Sequence, residues 1–210
     1  MISILIADYP GLLRDGLELL ISQGNGVKVI GLANSTEDLT EVCGELNADI
    51  ILLGFDRDSH NKIDVINTVK QRCQSKILIL TTRLQYDNIV NLIKSGVDGC
   101  ILKDIECNLE NLLKTLSYGM SILPQEIYRQ IIQESTASYS VDKPSLDILT
   151  QSELEIVRLV AQGKSNKEIA SIIYISEGTV RNRLTVIYKK LNVNGRIELA
   201  VTVTPFINKP

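Results

Sequence analysis

Ile50-Ile51-Leu52-Leu53-Gly54-Phe55 carries no polar side chain at any position and is closed off by Asp49 on one side and Asp56 on the other. A strand with one wet face alternates polar and apolar residues. A run that is apolar at consecutive positions and then stops fits a strand covered on both faces, as in a parallel sheet between two layers of helices. Working outward, similar runs occur at Ser3–Ala7, Val27–Leu32, Ile77–Leu80 and Gly99–Leu102. Helix-period segments lie between and after them, near residues 10–22, 35–46, 62–72, 85–95 and 108–118; Leu13, Leu17, Leu20 and Ile21 show the spacing, as do Ile89, Leu92 and Ile93. Five strand–helix units predict a doubly wound α/β domain with a five-stranded parallel sheet over residues 1–120. Its functional crevice would lie at the C-terminal strand ends, where the residues are Asp8, Gly54, Thr81 and Lys103.

Beyond Tyr118, Leu123-Pro124-Gln125-Glu126 opens a further helix carrying Ile127, Ile131 and Ile132, since Pro is well tolerated in a first turn. The Ser-rich stretch 134–145 then reads as a linker, so residues 121–147 are a helix plus connection. From residue 148 to 210 the texture is helical throughout. Thr150-Gln151-Ser152-Glu153 and Ser165-Asn166-Lys167-Glu168 are capping boxes, each pairing a hydroxyl with a carboxylate three residues on. Gly163 ends the first of these helices, Tyr174-Ile175 makes a tight turn, Ser176 caps a third helix and a fourth starts near Arg196. A short turn between two helices, with small Ala170 where they meet, is the geometry of a helix-turn-helix, whose second helix enters the major groove. That helix turns Val180, Leu184, Ile187 and Leu191 inward and offers Thr179, Arg181, Asn182, Thr185 and Lys189 outward. Arg pairs with guanine and Asn with adenine, while hydroxyls and lysine suit phosphates; the bland alternative is a solvated helix face.

Composition agrees. Residues 1–146 hold 13 Lys/Arg against 19 Asp/Glu, and residues 147–210 hold nine against six, so the basic part is the one suited to a polyanion. No apolar run approaches the roughly 20 residues of a membrane span. Met1-Ile2-Ser3-Ile4-Leu5 lacks the basic start of a signal peptide, so a cytoplasmic protein is expected. The four cysteines, Cys43, Cys73, Cys100 and Cys107, lack zinc-site spacing and read as small buried thiols, with redox sensing a minor alternative. His60, the one histidine, sits in the polar stretch Asp58-Ser59-His60-Asn61-Lys62 and reads as a loop residue. No nucleophile–histidine pair or phosphate-binding Gly loop is evident, so no enzyme, metal or cofactor is expected.

Leu149-Thr150-Gln151-Ser152-Glu153, Gly163-Lys164-Ser165-Asn166-Lys167-Glu168-Ile169-Ala170, Ile175-Ser176-Glu177-Gly178-Thr179-Val180-Arg181-Asn182 and Ile187-Tyr188-Lys189-Lys190-Leu191 together resemble the LuxR-type helix-turn-helix. The resemblance implies a four-helix domain that dimerises partly through its last helix on double-stranded DNA. By position it makes Arg181, Asn182 and Thr185 base readers, and Thr179 and Lys189 backbone contacts. Arg183 stands where the family usually shows His and adds a phosphate-directed cation; Thr185 stands where many members are basic.

Ile4-Leu5-Ile6-Ala7-Asp8, Ile77-Leu78-Ile79-Leu80-Thr81 and the stretch from Ser95-Gly96 through Leu102-Lys103-Asp104 resemble the receiver of NarL/FixJ-type response regulators of two-component systems. That implies the flavodoxin-like strand order 2-1-3-4-5. In such receivers an Asp ending the third strand takes a phosphoryl group, with magnesium held by that Asp and an acidic pair after strand one. Here the pair is Asp8-Tyr9, the acceptor position is Gly54, and the aromatic three residues before Lys103 is Cys100. Thr81 and Lys103 are retained, and Asp8 is expected to pair with Lys103. Asp56 and Asp58 are displaced by two or more residues, several ångströms at about 3.3 Å per extended residue. The expectation is a phosphorylation-independent DNA-binding regulator whose receiver-like domain dimerises, or takes its input from a protein partner or small ligand. For the dimer the family suggests helices one and five or the face around strand five. The alternative is an interaction protein with an inactive or autoinhibited DNA-binding domain.

Overall fold

The computed structural model describes residues 1–7, 11–55, 62–82, 86–103, 108–125, 127–128 and 146–207. Strands β1 (Ile2–Ala7), β2 (Val27–Ala33), β3 (Ile50–Phe55), β4 (Lys76–Thr81) and β5 (Gly99–Leu102) alternate with helices α1 (Gly11–Ser22), α2 (Thr36–Leu46), α3 (Lys62–Arg72), α4 (Tyr86–Lys94) and α5 (Leu109–Ser117). The strands form one parallel sheet in the order β2-β1-β3-β4-β5. Consecutive apolar residues serve both faces. Leu5, Ala7, Ile51, Leu53, Ile77 and Ile79 point into a core with Leu39, Cys43, Ile66, Val69 and Leu92. Ile4, Ile6, Ile50, Leu52, Leu78 and Leu80 point into the opposite core with Leu17, Ile21, Leu113 and Leu116. Each buried Leu, Ile or Val among them is worth about 1.5–3 kcal/mol over an exposed one. Cys43, Cys73 and Cys100 are buried free thiols as expected, while Cys107 lies outside the described residues.

The C-terminal part opens with a 3₁₀ turn (Leu146–Ile148), followed by α6 (Gln151–Ala161), α7 (Asn166–Ile172), α8 (Glu177–Leu191) and α9 (Arg196–Ile207). Both capping boxes form: the Glu153 and Glu168 amides donate to Thr150 and Ser165, whose own amides donate back to the two carboxylates. Ser176 caps α8 through the Thr179 amide, and Asn192 closes it in the left-handed region at φ 52°. Each cap is worth about 1 kcal/mol. Val180, Leu184 and Ile187 of α8 join Ile156, Val157, Val160, Ile169, Leu199 and Val203 in a separate core. The expected helix from Leu123 is described only around Gln125, Ile127 and Tyr128, and the expected linker at 134–145 lies outside the described residues. No helix among the described residues is long and apolar enough to cross a membrane.

Candidate nucleic-acid interface and receiver crevice

The turn between α7 and α8 is tight because Ile173 caps α7, Tyr174 takes a positive φ of 55° and the Ile175 amide donates to the Ala170 carbonyl at 3.0 Å. Tyr174 stands almost fully exposed at this turn, in a conformation that disfavours a non-glycine residue. Core packing of Val180, Leu184 and Ile187 fixes the roll of α8. Arg181, Asn182 and Lys189 are then exposed and Thr179, Arg183 and Thr185 half-buried. Arg181 lies 3.9 Å from Glu177, one turn earlier, an exposed pair that DNA could displace readily. The Thr185 hydroxyl donates to the Arg181 carbonyl at 3.1 Å, and the Thr179 hydroxyl sits 2.8 Å from that of Ser176.

Lys190 is different. It stays exposed, but its side chain reaches back to α6 and its ammonium donates to both Glu153 oxygens, at 2.8 and 2.7 Å. That contact, with the Thr150 amide and hydroxyl, holds the Glu153 carboxyl down at about 2 against the upward push of burial. Glu153 therefore ties α6 to α8 as well as closing its own capping box. A capping box explains Glu153 locally, so the sequence gives no signal of this second role.

The C-terminal helical unit packs against the α/β domain at the N-terminal ends of its strands, the floor of the sheet. The Asn194 side chain donates to the Lys94 carbonyl at 2.6 Å, and the Asn166 amide donates to the Tyr118 carbonyl at 3.1 Å. Gly96 and Gly119 permit these approaches. A Cβ on Gly96 would lie 2.6 Å from the Asn194 carbonyl oxygen, and one on Gly119 would lie 2.3 Å from the Asn166 side-chain nitrogen. Ile89 and Ile93 of α4 meet Ile127 and Ile197 in a small apolar cluster. Arg196 is buried beside it and donates to Asn166 Oδ1 at 3.0 Å and to the Lys164 carbonyl. Tyr188 on α8 sits in the field of Lys76; burial raises its phenol, against the Lys76 and Arg196 cations. Arg181 lies across a cleft of about 200 Å³ from Asp49, Cys73 and Ser75. One flank of α8 thus faces the receiver. None of these interface residues was singled out by the sequence for that role.

At the opposite end of the sheet, Gly54 is the buried penultimate residue of β3 and pairs in register with Leu80, while Phe55 pairs with Thr81. Thr81 is buried at the end of β4, and the Lys103 amide donates to its carbonyl at 2.9 Å. The strand ends thus bring Gly54, Thr81 and Lys103 to one rim. Asp8, Tyr9, Asp56, Asp58 and His60 lie outside the described residues, and so does the expected Asp8–Lys103 pairing.

Comparisons with known proteins follow the same division. The family described as "Response regulator receiver domain" matches residues 4–117, and "Bacterial regulatory proteins, luxR family" matches residues 147–203. The nitrate/nitrite response regulator NarL of Escherichia coli K12 is 31% identical over 204 residues, covering 95% of this chain and 93% of its own. The transcriptional regulatory protein LnrK of Bacillus subtilis 168 is 31% identical over 211 residues, covering 96% of each. Among solved structures, RcsB, determined as two dimers bound to two parallel DNAs, aligns with a TM-score of 0.55 at 22% identity over 98% of each chain, a likeness of fold. A receiver sheet joined to a helix-turn-helix defines the DNA-binding response regulators, which are transcription regulators and not enzymes. Within that class, this chain belongs to the NarL family with its LuxR-type DNA-binding unit.

Proposed function

We propose that the chain regulates transcription without aspartyl phosphorylation, binding DNA as a homodimer. Its parts would be a receiver-like dimerisation or input domain (1–120), a connection (121–147) and a DNA-binding domain (148–210). The observation that carries this is Gly54. It occupies the rim beside the Phe55–Thr81 pair, where an acceptor carboxylate would have to stand, and it has no side chain. Position 54 offers neither a nucleophile nor a magnesium ligand, and Tyr9 removes a second carboxylate from the set a hard cation needs. The residues at these positions do not fit a phosphoryl–magnesium centre.

On the DNA side, Arg181, Asn182 and Thr185 would read bases, and Thr179, Arg183 and Lys189 would hold the backbone. Dimerisation is supported by α1, which leaves Leu12, Leu19 and Leu20 exposed at 89, 60 and 62%. Two linked DNA-binding units on paired half-sites gain avidity without new contacts. A second reading, autoinhibition, is favoured by one feature: the flank of α8 bearing Arg181 and Tyr188 faces the receiver floor. The two combine if undocking, driven by dimerisation, a partner or a small ligand, sets DNA occupancy in place of phosphorylation.

A mobility-shift titration against selected DNA, with unmodified protein and no phosphodonor, tests this. Sequence-selective binding that weakens steeply with salt is expected, along with no incorporation from acetyl phosphate. Stoichiometric labelling that tightens DNA binding would overturn the proposal.

A further inference from the structure

Two buried thiols meet on one side of the sheet. Cys43 belongs to the last turns of α2 and Cys73 follows directly on α3; both lie in the same apolar core. Arg72 holds the two helices together, its Nη1 donating to the Thr40 carbonyl at 2.6 Å. Cys43 and Cys73 share one core cluster and their thiols interact, while each donates to a carbonyl one turn back, Thr40 at 3.6 Å and Val69 at 3.4 Å. Cys100, on β5, has burial as the one cause of its shift, which pushes its thiol up to about 12 with no neighbouring thiol or cation acting on it.

Cys73 has a second aspect. It lines the cleft across which Arg181 of the recognition helix stands, and Gln74, Ser75 and Lys76 after it line the same cleft. We infer that Cys43 and Cys73 form a peroxide-oxidisable pair whose closure to an intramolecular disulfide resets the contact between the receiver floor and the DNA-binding unit. The Cys73 thiolate, on the cleft wall, attacks a peroxide oxygen. A sulfur–oxygen bond forms, the oxygen–oxygen bond breaks, and water (or an alcohol from an organic peroxide) leaves a sulfenic acid. Cys43, the deeper thiol, loses its proton and displaces that oxygen as a second water, forming the sulfur–sulfur bond. Two thiols give up two electrons and the peroxide takes them.

Burial and then the neighbouring Cys73 thiol raise Cys43, with the Arg72 guanidinium a partial offset, which suits Cys43 to the second, resolving step and not to the first attack. Closing a nonbonded sulfur contact to a bond of about 2.05 Å draws the corner that begins at Cys73 toward α2. Lys76 terminates that corner and faces Tyr188. That movement would be passed to the docking surface.

The test uses the full chain treated with hydrogen peroxide and then analysed by intact mass and peptide mapping. The expected product has lost two hydrogens, links the Cys43 and Cys73 peptides and returns to the starting mass with dithiothreitol. Cys43→Ala should leave Cys73 trappable as a sulfenic acid by dimedone. Oxidised wild type should differ from reduced protein in DNA affinity by about fivefold or more, and Cys43→Ala/Cys73→Ala should not respond to peroxide. A crosslink through Cys100 or Cys107, a disulfide between two chains, or oxidation that halts without a crosslink would overturn the pair. Unchanged affinity in a crosslinked, DNA-binding protein would overturn its regulatory half. That half rests on the DNA-binding reading above; a crosslinked chain that bound no DNA would support the pair and sink that reading instead.

Discussion

The two ends of the receiver sheet have opposite characters. At the C-terminal end, where its family performs phosphoryl chemistry, the third strand offers Gly54, with Thr81 and Lys103 beside it. At the floor, charge is concentrated and locked. Asp98, buried just before β5, accepts from Lys70 at 2.6 Å, from Lys76 at 2.8 Å and from the Ile77 amide at 3.0 Å. Asp49 accepts from the Ser3 amide and hydroxyl at 2.8 and 2.7 Å, and the Ser75 hydroxyl donates to the Ala48 carbonyl at 2.6 Å. The DNA-binding unit docks on the floor side, through Gly96, Gly119 and Lys94. Structural electrostatics and interdomain contact share one end of the sheet, and on the reading proposed above control of DNA access would act there and not at the crevice.

Removing Asp98 should produce the largest effect. Burial would raise its carboxyl, and Lys70 and Lys76 outweigh burial and hold it down at about 2. Asp98→Ala leaves two half-buried lysines without their counter-ion, Lys70 keeping only the Ser75 carbonyl, and takes an acceptor from the Ile77 amide, a loss of about 3–5 kcal/mol measurable as a lower urea midpoint. Loss of less than about 1 kcal/mol would erase the contrast between the two ends. A pH titration sharpens the same point with a somewhat smaller effect. The native carboxyl lies below its ordinary value of 3.8, so its contribution is complete above that value and fades as pH falls from 3.8 toward about 2. The interval corresponds to about 2 kcal/mol. The stability difference between wild type and Asp98→Asn should therefore be constant from pH 7 to pH 5 and narrow steadily toward pH 2; a difference that widened on acidification would reverse the sign and break the account.

How far the sequence anticipated this depends on how local each cause is. Strand runs such as Ile50–Phe55, hydroxyl–carboxylate caps at Thr150 and Ser165 and the turn at Tyr174 were legible because neighbours within five residues decide them. The outward face of α8 was legible as a periodicity. The floor was not. Asp98 finds Lys70 and Lys76 from 28 and 22 positions away, and Lys190 finds Glu153 across 37. Interface residues carry a second difficulty: Gly96 and Gly119 already have a local reason to be glycine, with φ of 88° and 77°, which hides their role in a close approach.

That close approach supplies the third prediction, about tenfold in DNA affinity, or about 1.4 kcal/mol. Gly96→Ala would put a methyl 2.6 Å from the Asn194 carbonyl oxygen and prise α9 from the floor. If docking restrains α8, the variant should bind the selected DNA more tightly than wild type while its receiver loses only the strain of a left-handed alanine, about 1–2 kcal/mol. Equal or weaker DNA binding by a folded variant would show that docking and DNA occupancy are independent.

The smallest effect is expected where the family's chemistry would be sought first. Gly54→Asp restores a carboxylate at the end of β3, beside Thr81 and Lys103, and is the obvious attempt to revive the crevice. A lone added carboxylate is not a centre. Position 9 remains tyrosine, so the variant would still lack one of the three carboxylates that such a centre uses for a hard cation asking for several oxygen ligands. The glycine it replaces is also buried, which makes a charged substituent there unfavourable until it is paired. The variant should therefore remain essentially unlabelled by acetyl phosphate with magnesium present, and its DNA affinity should stay within about twofold of wild type, or about 0.4 kcal/mol. Efficient labelling coupled to tighter DNA binding would mean that the crevice had lost one side chain and kept its switch, and the difference between the two ends of the sheet would reduce to a single residue.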